Sequence, residues 1–170
     1  MKIIIDSDLK LRSYNIKDKK LLYINSTDKL FLKYMEFKKF STKKFTEWLN
    51  RKLKSKNMFF FVIEYKNNPI GTYILTKFGI KNQNCDLSYG ISSKYFGKKI
   101  FQRITKKILE KFKNIRRFEA ITRSDNLPSI FGLKKLKFKK EGVLRSYYYD
   151  LKTKKFYDAV ILSYINCKYI

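Results

Sequence analysis

The chain of 170 residues has no histidine, two cysteines and two prolines. Without histidine, and with Cys85 and Cys167 outside any CxxC pair, a metal centre, a disulfide framework and a Ser-His-Asp triad are all disfavoured. The longest purely apolar run, residues 58–63, is far shorter than a membrane span, and the apolar run at the amino terminus is too short for a signal peptide. We therefore expect a cytoplasmic protein that uses no metal and does not enter a membrane.

Acidic residues are also scarce, with 14 Asp and Glu against 40 Lys and Arg and a formal net charge of +26. Such an excess favours polyanions, anionic membranes or phosphorylated small molecules. Lys outnumbers Arg 33 to 7 and Ala occurs twice, a profile that AT-rich codons produce, so composition explains much of the excess. The hydrophobic share of 44% excludes a disordered chain, and the length predicts one domain over residues 1–170.

Hydrophobic periodicity predicts a mixed α/β domain with the element order β-α-α-β-β-β-α-β-α-β-β. The predicted helices lie within residues 17–36, 41–55, 98–117 and 128–136. The predicted strands lie at 8–14, 59–65, 70–78, 86–92, 117–123, 142–151 and 156–165. In the strand at 117–123, we expect Phe118 and Ala120 to point into the core.

The most informative segment is the turn between the strand at 86–92 and the helix that follows it. It reads Lys94-Tyr95-Phe96-Gly97-Lys98-Lys99. A glycine-bearing turn that opens a helix brings free backbone N–H groups and the positive end of the helix dipole to one point, which is how a backbone binds a pyrophosphate. Lys98, Lys99 and Arg103 can add cations beside it. An ordinary strand-to-helix turn is the alternative explanation.

Four segments together resemble the GNAT N-acetyltransferase superfamily, and within it the RimJ/RimL-like branch. They are the opening strand at 9–14 with Asp18, the hairpin at Ile70-Gly71-Thr72, the strand at 86–91, and Asn126 with Ser129 followed by the stretch at 135–142. The resemblance covers nearly the whole chain. It implies a single-domain GNAT fold, with a mixed, mostly antiparallel twisted sheet flanked by helices. It also implies direct transfer of an acetyl group from acetyl-CoA to a primary amine.

The family's phosphate loop has the form Arg/Gln-x-x-Gly-x-Gly/Ala. Here Gly97 matches, Lys94 replaces Arg or Gln, and Lys99 stands where a second small residue is usual. The Lys99 side chain can either crowd the approach of the phosphates or supply them with a cation. The cofactor-binding residues implied by the resemblance are Ile91, Ser93, Lys94, Gly97, Lys98, Lys99, Ile100, Asn126 and Ser129.

The resemblance also implies roles in catalysis. Asp86 is the first candidate for the base that deprotonates the amine, or for its anchor, and Glu119 is the second. Backbone N–H groups around Ile91 would stabilise the negative oxygen of the thioester. Leu133 stands where many relatives have the tyrosine that protonates the thiolate, and the RimJ/RimL-like branch offers Ser129 instead. Each of these polar residues also has a structural explanation, as an ion pair or a helix cap.

The acceptor stays open at this point. The helices within 17–55 lie where the family builds its acceptor site, and one or two of Tyr147, Tyr148 and Tyr149 are expected to line it. The acceptor is either the N-terminal α-amine of a protein or a small amine such as an amino-sugar nucleotide. A non-catalytic module that binds nucleic acid or the ribosome through its lysines is the alternative, although no RNA-binding aromatic motif is present. Monomer and homodimer are both compatible with the sequence.

Overall fold

The computed structural model describes residues 1–34, 41–78, 83–151 and 153–166. Its strands are β1 (Lys2–Ile4), β2 (Leu9–Arg12), β3 (Met58–Tyr65), β4 (Asn68–Phe78), β5 (Asn84–Ile91), β6 (Arg117–Arg123), β7 (Lys139–Asp150) and β8 (Lys155–Ile165). Its helices are α1 (Asp18–Ser26), α2 (Lys29–Leu32), α3 (Thr42–Lys54), α4 (Ile100–Lys111) and α5 (Leu127–Lys135). None of the helices within these described ranges is long and apolar enough to cross a membrane.

The eight strands form one sheet in the order β1-β2-β3-β4-β5-β6-β8-β7. Every neighbouring pair is antiparallel except β5 and β6, which run parallel. The predicted mixed, mostly antiparallel sheet flanked by helices is therefore confirmed. The single parallel pair is the feature that positions the site described below.

The two faces of the sheet carry separate cores. The larger core packs α4 and α5 against the sheet, and the amphipathic pattern of α4 buries Ile104 and Ile108 completely. Phe118 and Ala120 are buried in this core, as predicted. The smaller core, on the α1 and α3 side, consists of Leu22, Phe45, Leu49 and Val62.

The prediction of a single helix over 17–36 is wrong. α1 ends at Ser26 and α2 begins at Lys29. Asp28 lies directly before α2, and the Asp28 carboxylate accepts a hydrogen bond from the Leu30 N–H at 2.8 Å. A short side chain that bonds the backbone two residues ahead competes with continuous helix. Residues 35–36, at the end of that prediction, lie outside the described residues. β1 was also missed, because three residues are too few to show a period.

Candidate active site

The site begins where β5 and β6 separate. Their parallel pairing joins Asn84–Asp86 to Arg117–Glu119, and the described register extends no further. Beyond it a cavity of about 630 Å³ opens between the two strands. Residues 87–91 of β5 and 120–123 of β6 line it. Backbone N–H and C=O groups on the facing edges of these strands are thus available to a ligand in the gap.

The cavity reaches both faces of the sheet. On the α4 and α5 side, its wall contains Tyr89, whose ring stacks on Phe101 with centroids 3.9 Å apart. Asn126, the N-cap of α5, and Ser129 in the first turn of α5 complete this wall. On the other face the lining comes from α2, the residues after it, and β7, and includes Leu30, Tyr34 and Tyr148. Two molecules that approach from opposite faces can therefore meet between the strands.

The predicted phosphate loop forms one end of the cavity. A 3-10 turn at Ser93–Tyr95 leads to Gly97, which has φ of +79°, and Lys99, with φ of +54°, immediately precedes α4. A Cβ added at Gly97 would find no atom within 4 Å, so the backbone here is open. α4 has twelve residues, and the N–H groups of its first turn are suited to an anion.

The backbone at Lys99 explains why a small residue is usual there. A left-handed conformation costs a residue with a side chain about 1–2 kcal/mol, and glycine adopts it freely. Lys99 lines the cavity, so the strained conformation is accompanied by a positive charge at the opening of the cavity. A Lys99 ammonium can pair with a phosphate in that position.

Six of the predicted cofactor residues line the cavity together: Ile91, Gly97, Lys99, Ile100, Asn126 and Ser129. The other three predicted residues, Ser93, Lys94 and Lys98, are not among the described residues of its lining. The Ser93 hydroxyl donates to the Asp28 carboxylate at 2.5 Å, and so ties the loop to the start of α2. Arg103, which was also predicted to add a cation beside the phosphates, pairs with Asp6 in the turn between β1 and β2.

Asn126 and Ser129 have structural partners at the start of α5. The Asn126 side chain accepts from the Ser129 N–H at 3.4 Å and donates to the Thr122 hydroxyl at 3.1 Å. The Ser129 side chain interacts with the Tyr89 hydroxyl, whose pKa is raised by burial and lowered in part by that hydrogen bond. Leu133 is 1% exposed and belongs to the core. Of the two described residues of α5 that line the cavity, Pro128 and Ser129, the polar side chain is the Ser129 hydroxyl.

Asp86 lies on β5 at the last position paired with β6, opposite Glu119. It alternates with the buried Cys85 and Leu87, so it faces the α3 side of the sheet. Burial, followed by repulsion from Glu119, raises the pKa of Asp86 from 3.8 to about 6, and Lys52 opposes this rise. Asp86 is not among the described residues that line the cavity, but it lies two residues from Ser88, which does line it.

A carboxylate with a pKa near 6 can accept a proton at neutral pH and release it readily. Glu119 is less suited to this task, because its carboxylate is hydrogen-bonded to Arg117. Of the two predicted acids, Asp86 therefore has the properties of a base.

The sequence reasoning missed Arg123, which lines the cavity at the end of β6. Its guanidinium is held by Asp125 and Asp150 and lies over the Tyr157 ring at 3.7 Å from its centroid. One signal was available, since arginine is rare in this lysine-rich chain and here occupies a strand. Of the three predicted tyrosines, Tyr148 lines the cavity, whereas Tyr147 and Tyr149 are 49% and 40% exposed.

Comparison with known proteins agrees with this fold. One relative, an N-acetyltransferase named p20 from Bacillus licheniformis, is 29% identical over 94 residues, which cover 54% of this chain and about half (53%) of the relative. The ribosomal L7/L12 α-N-protein acetyltransferase RimL, solved with coenzyme A, superposes with a TM-score of 0.86 at 16% identity over 97% of this chain and 98% of that one.

Two further structures share the fold. The microcin C7 self-immunity acetyltransferase MccE, in complex with acetyl-CoA and AMP, has a TM-score of 0.84 at 19% identity, covering 95% of this chain and 94% of that one. Spermidine N-acetyltransferase from Vibrio cholerae, in complex with CoA and spermine, has a TM-score of 0.83 at 16% identity, covering 96% and 99%. The acetyltransferase (GNAT) domain family matches residues 8–139, which is most of the chain. This protein therefore belongs to the GNAT acetyltransferase family.

Proposed function

We propose that this protein transfers the acetyl group of acetyl-CoA directly to a primary amine, and that it belongs to the RimJ/RimL-like branch. One observation carries the proposal. A cavity that crosses the sheet between β5 and β6 is continuous with an open, glycine-bearing loop at the start of α4. The loop suits the pyrophosphate of the donor, and the gap between the strands suits its extended arm.

The donor fits the residues on the α4 and α5 side. The backbone of Gly97 and Ile100 faces the pyrophosphate, and Lys99 adds a positive charge beside it. The exposed edge of β5 at 87–91 can bond the amides of the arm as a neighbouring strand would. Asn126 lies on the opposite wall, with its side-chain amide close to the same arm.

The reaction joins the amine nitrogen to the acetyl carbon and breaks the carbon–sulfur bond. Asp86, directly or through a water molecule, takes the proton that the amine must lose to attack. The N–H groups of β5 near Ile91 stabilise the oxygen as it becomes negative. Ser129 donates a hydrogen bond to the departing sulfur, and Tyr89 orients that hydroxyl.

The first experiment titrates the purified protein with acetyl-CoA and, separately, with 3′-dephospho-CoA, at low and at moderate salt. Binding that survives moderate salt and weakens without the 3′-phosphate would support the donor site. Binding that disappears with salt would instead favour the non-catalytic module that holds nucleic acid through its lysines.

A variant makes the titration specific to the loop. Gly97→Trp places a large side chain at a left-handed position beside the cavity, so it should reduce acetyl-CoA affinity strongly. Gly142→Trp is the control, because Gly142 lies on β7 outside the described lining of the cavity. Unchanged affinity in Gly97→Trp would contradict the assignment of the phosphate loop.

A further inference from the structure

The part of the cavity that faces the amine acceptor has an unusual charge distribution. Its walls are apolar or aromatic, with Leu30, Ile121, Tyr34 and Tyr148. Among all the described residues that line the cavity, the charged ones are Lys99 and Arg123, and none is a carboxylate. An acceptor with several positive charges would therefore meet two cations, and no carboxylate, among the described residues of the lining.

The Arg123 guanidinium is fixed by two carboxylates, a backbone carbonyl and an aromatic ring. Its Nε and Nη2 donate to the Asp125 carboxylate at 3.0 and 2.8 Å. Its Nη1 donates to Asp150 at 2.9 Å and to the Lys33 carbonyl at 3.2 Å. The guanidinium carbon lies 3.7 Å from the centroid of Tyr157 and 5.9 Å from that of Tyr34. The side chain is only 4% exposed.

Two carboxylates and aromatic rings around one point are what proteins use to bind an ammonium or guanidinium group. Here the Arg123 guanidinium already occupies the position between Asp125 and Asp150, so a second positive charge of the acceptor cannot bind there. The net charge of +26 acts in the same direction at longer range, because it disfavours the approach of any polycation. These two effects arise from different residues and reinforce each other.

We propose that Arg123 is a specificity-determining residue that excludes polyamines, and that the acceptor is an amine with a single positive charge on an apolar or aromatic carrier. The inference rests on the proposed function and narrows its acceptor. The reacting amine lies near β5, while its carrier packs against Tyr34, Ile121 and Tyr148. Arg123 closes the end of the site where a second ammonium would extend.

The test compares tyramine, a singly charged aromatic amine, with spermidine as acceptors for the full chain. We expect the wild type to acetylate tyramine with a kcat/KM at least about 100-fold above that for spermidine. Arg123→Gln should raise the spermidine-to-tyramine ratio at least about 10-fold, since it opens the carboxylate site to a second ammonium. Arg117→Gln is the matched control and should leave the ratio unchanged. Arg117 lies on the same face of β6 and also pairs with two carboxylates, Glu119 and Glu141.

A double variant checks the physical cause. Arg123→Gln combined with Asp150→Asn removes one of the two carboxylates, so it should lose most of the spermidine activity that the single variant gains. If Arg123→Gln does not fold, competition in the wild type decides the question. Spermidine should then fail to inhibit tyramine acetylation at concentrations where phenethylamine inhibits it.

Other outcomes overturn specific parts of the inference. A wild type that acetylates spermidine as well as tyramine, or a folded Arg123→Gln with an unchanged ratio, would refute the role of Arg123. A wild type that binds acetyl-CoA but acetylates neither amine would refute the acceptor class. Failure to bind acetyl-CoA would refute the proposed function itself.

Discussion

Asp86→Asn is expected to stabilise the folded protein while it abolishes acetyl transfer. The carboxyl has a pKa of about 6 in the folded protein, because burial and the charge of Glu119 both disfavour its ionised form. In the unfolded chain it titrates near 3.8. Between these two values the folded state holds a proton that the unfolded state has lost, so the free energy of unfolding decreases as the pH rises.

The size of the effect follows from the two pKa values. A difference of about two pH units, at about 1.36 kcal/mol per unit, gives at most about 3 kcal/mol. This penalty is absent below pH 3.8 and complete above pH 6. Asparagine keeps the shape of the side chain and cannot ionise. The stability of the variant relative to the wild type should therefore increase by up to about 3 kcal/mol between pH 4 and pH 7.

Urea unfolding of both proteins at several pH values between 4 and 8 measures this difference. Asp18→Asn is a control of opposite sign. Asp18 is also buried, but the hydrogen bonds from Arg12 lower its pKa below 3.8 despite that burial. Its ionised form contributes stability above the unfolded pKa, which is lost as the pH falls. Asp18→Asn should therefore be less stable than the wild type at pH 7, and the deficit should shrink in acid.

Two results would refute the reasoning on Asp86. If Asp86→Asn shows no pH-dependent gain in stability, the carboxyl is not destabilised by burial. If the variant is more stable but retains full activity, the electrostatics are right and Asp86 is not the base. If Asp86 is the base, the kcat/KM of the wild type should also decrease as the pH is lowered below 6, in proportion to the ionised fraction of Asp86.

Three further predictions test the sheet, the loop and the leaving group. Gly71→Ala should lower the free energy of unfolding by about 2 kcal/mol or more in urea, because its Cβ would lie 2.0 Å from the Gly90 carbonyl oxygen. Gly142→Ala, whose Cβ would meet Ile161 at an ordinary 3.6 Å, should change it little, and equal effects would contradict the argument. Lys99→Gly should weaken acetyl-CoA binding and reduce the salt dependence of that binding. The protein should stay at least as stable, because glycine adopts the left-handed conformation without strain. An unchanged salt dependence in calorimetric titration would exclude Lys99 from the phosphate site. Ser129→Ala should lower kcat by about 10²-fold with little change in the Kd for acetyl-CoA, and a kcat within twofold of the wild type would leave Ser129 as a structural residue only.

Much of the donor side of the site could be predicted because it depends on local chain properties. The open loop at Gly97 and the start of α4 follow from a glycine and a helix boundary a few residues apart. Asn126 and Ser129 lie one helical turn apart, so they face the same wall. The partners of Ser93 could not be predicted, since its hydroxyl bonds Asp28, 65 residues away in the chain.

The sequence by itself determined the elements whose signal is periodic, the excess of positive charge and the family motif. Only the tertiary structure decided which side chains share a site. Arg123 acquires its role from Asp150 on a distant strand, and Asp86 acquires its raised pKa from burial and from Glu119 across a parallel pair. The physical reason is that secondary structure and backbone strain depend on neighbours along the chain. Desolvation and charge pairing depend instead on neighbours in space, and these neighbours cannot be identified from the sequence alone.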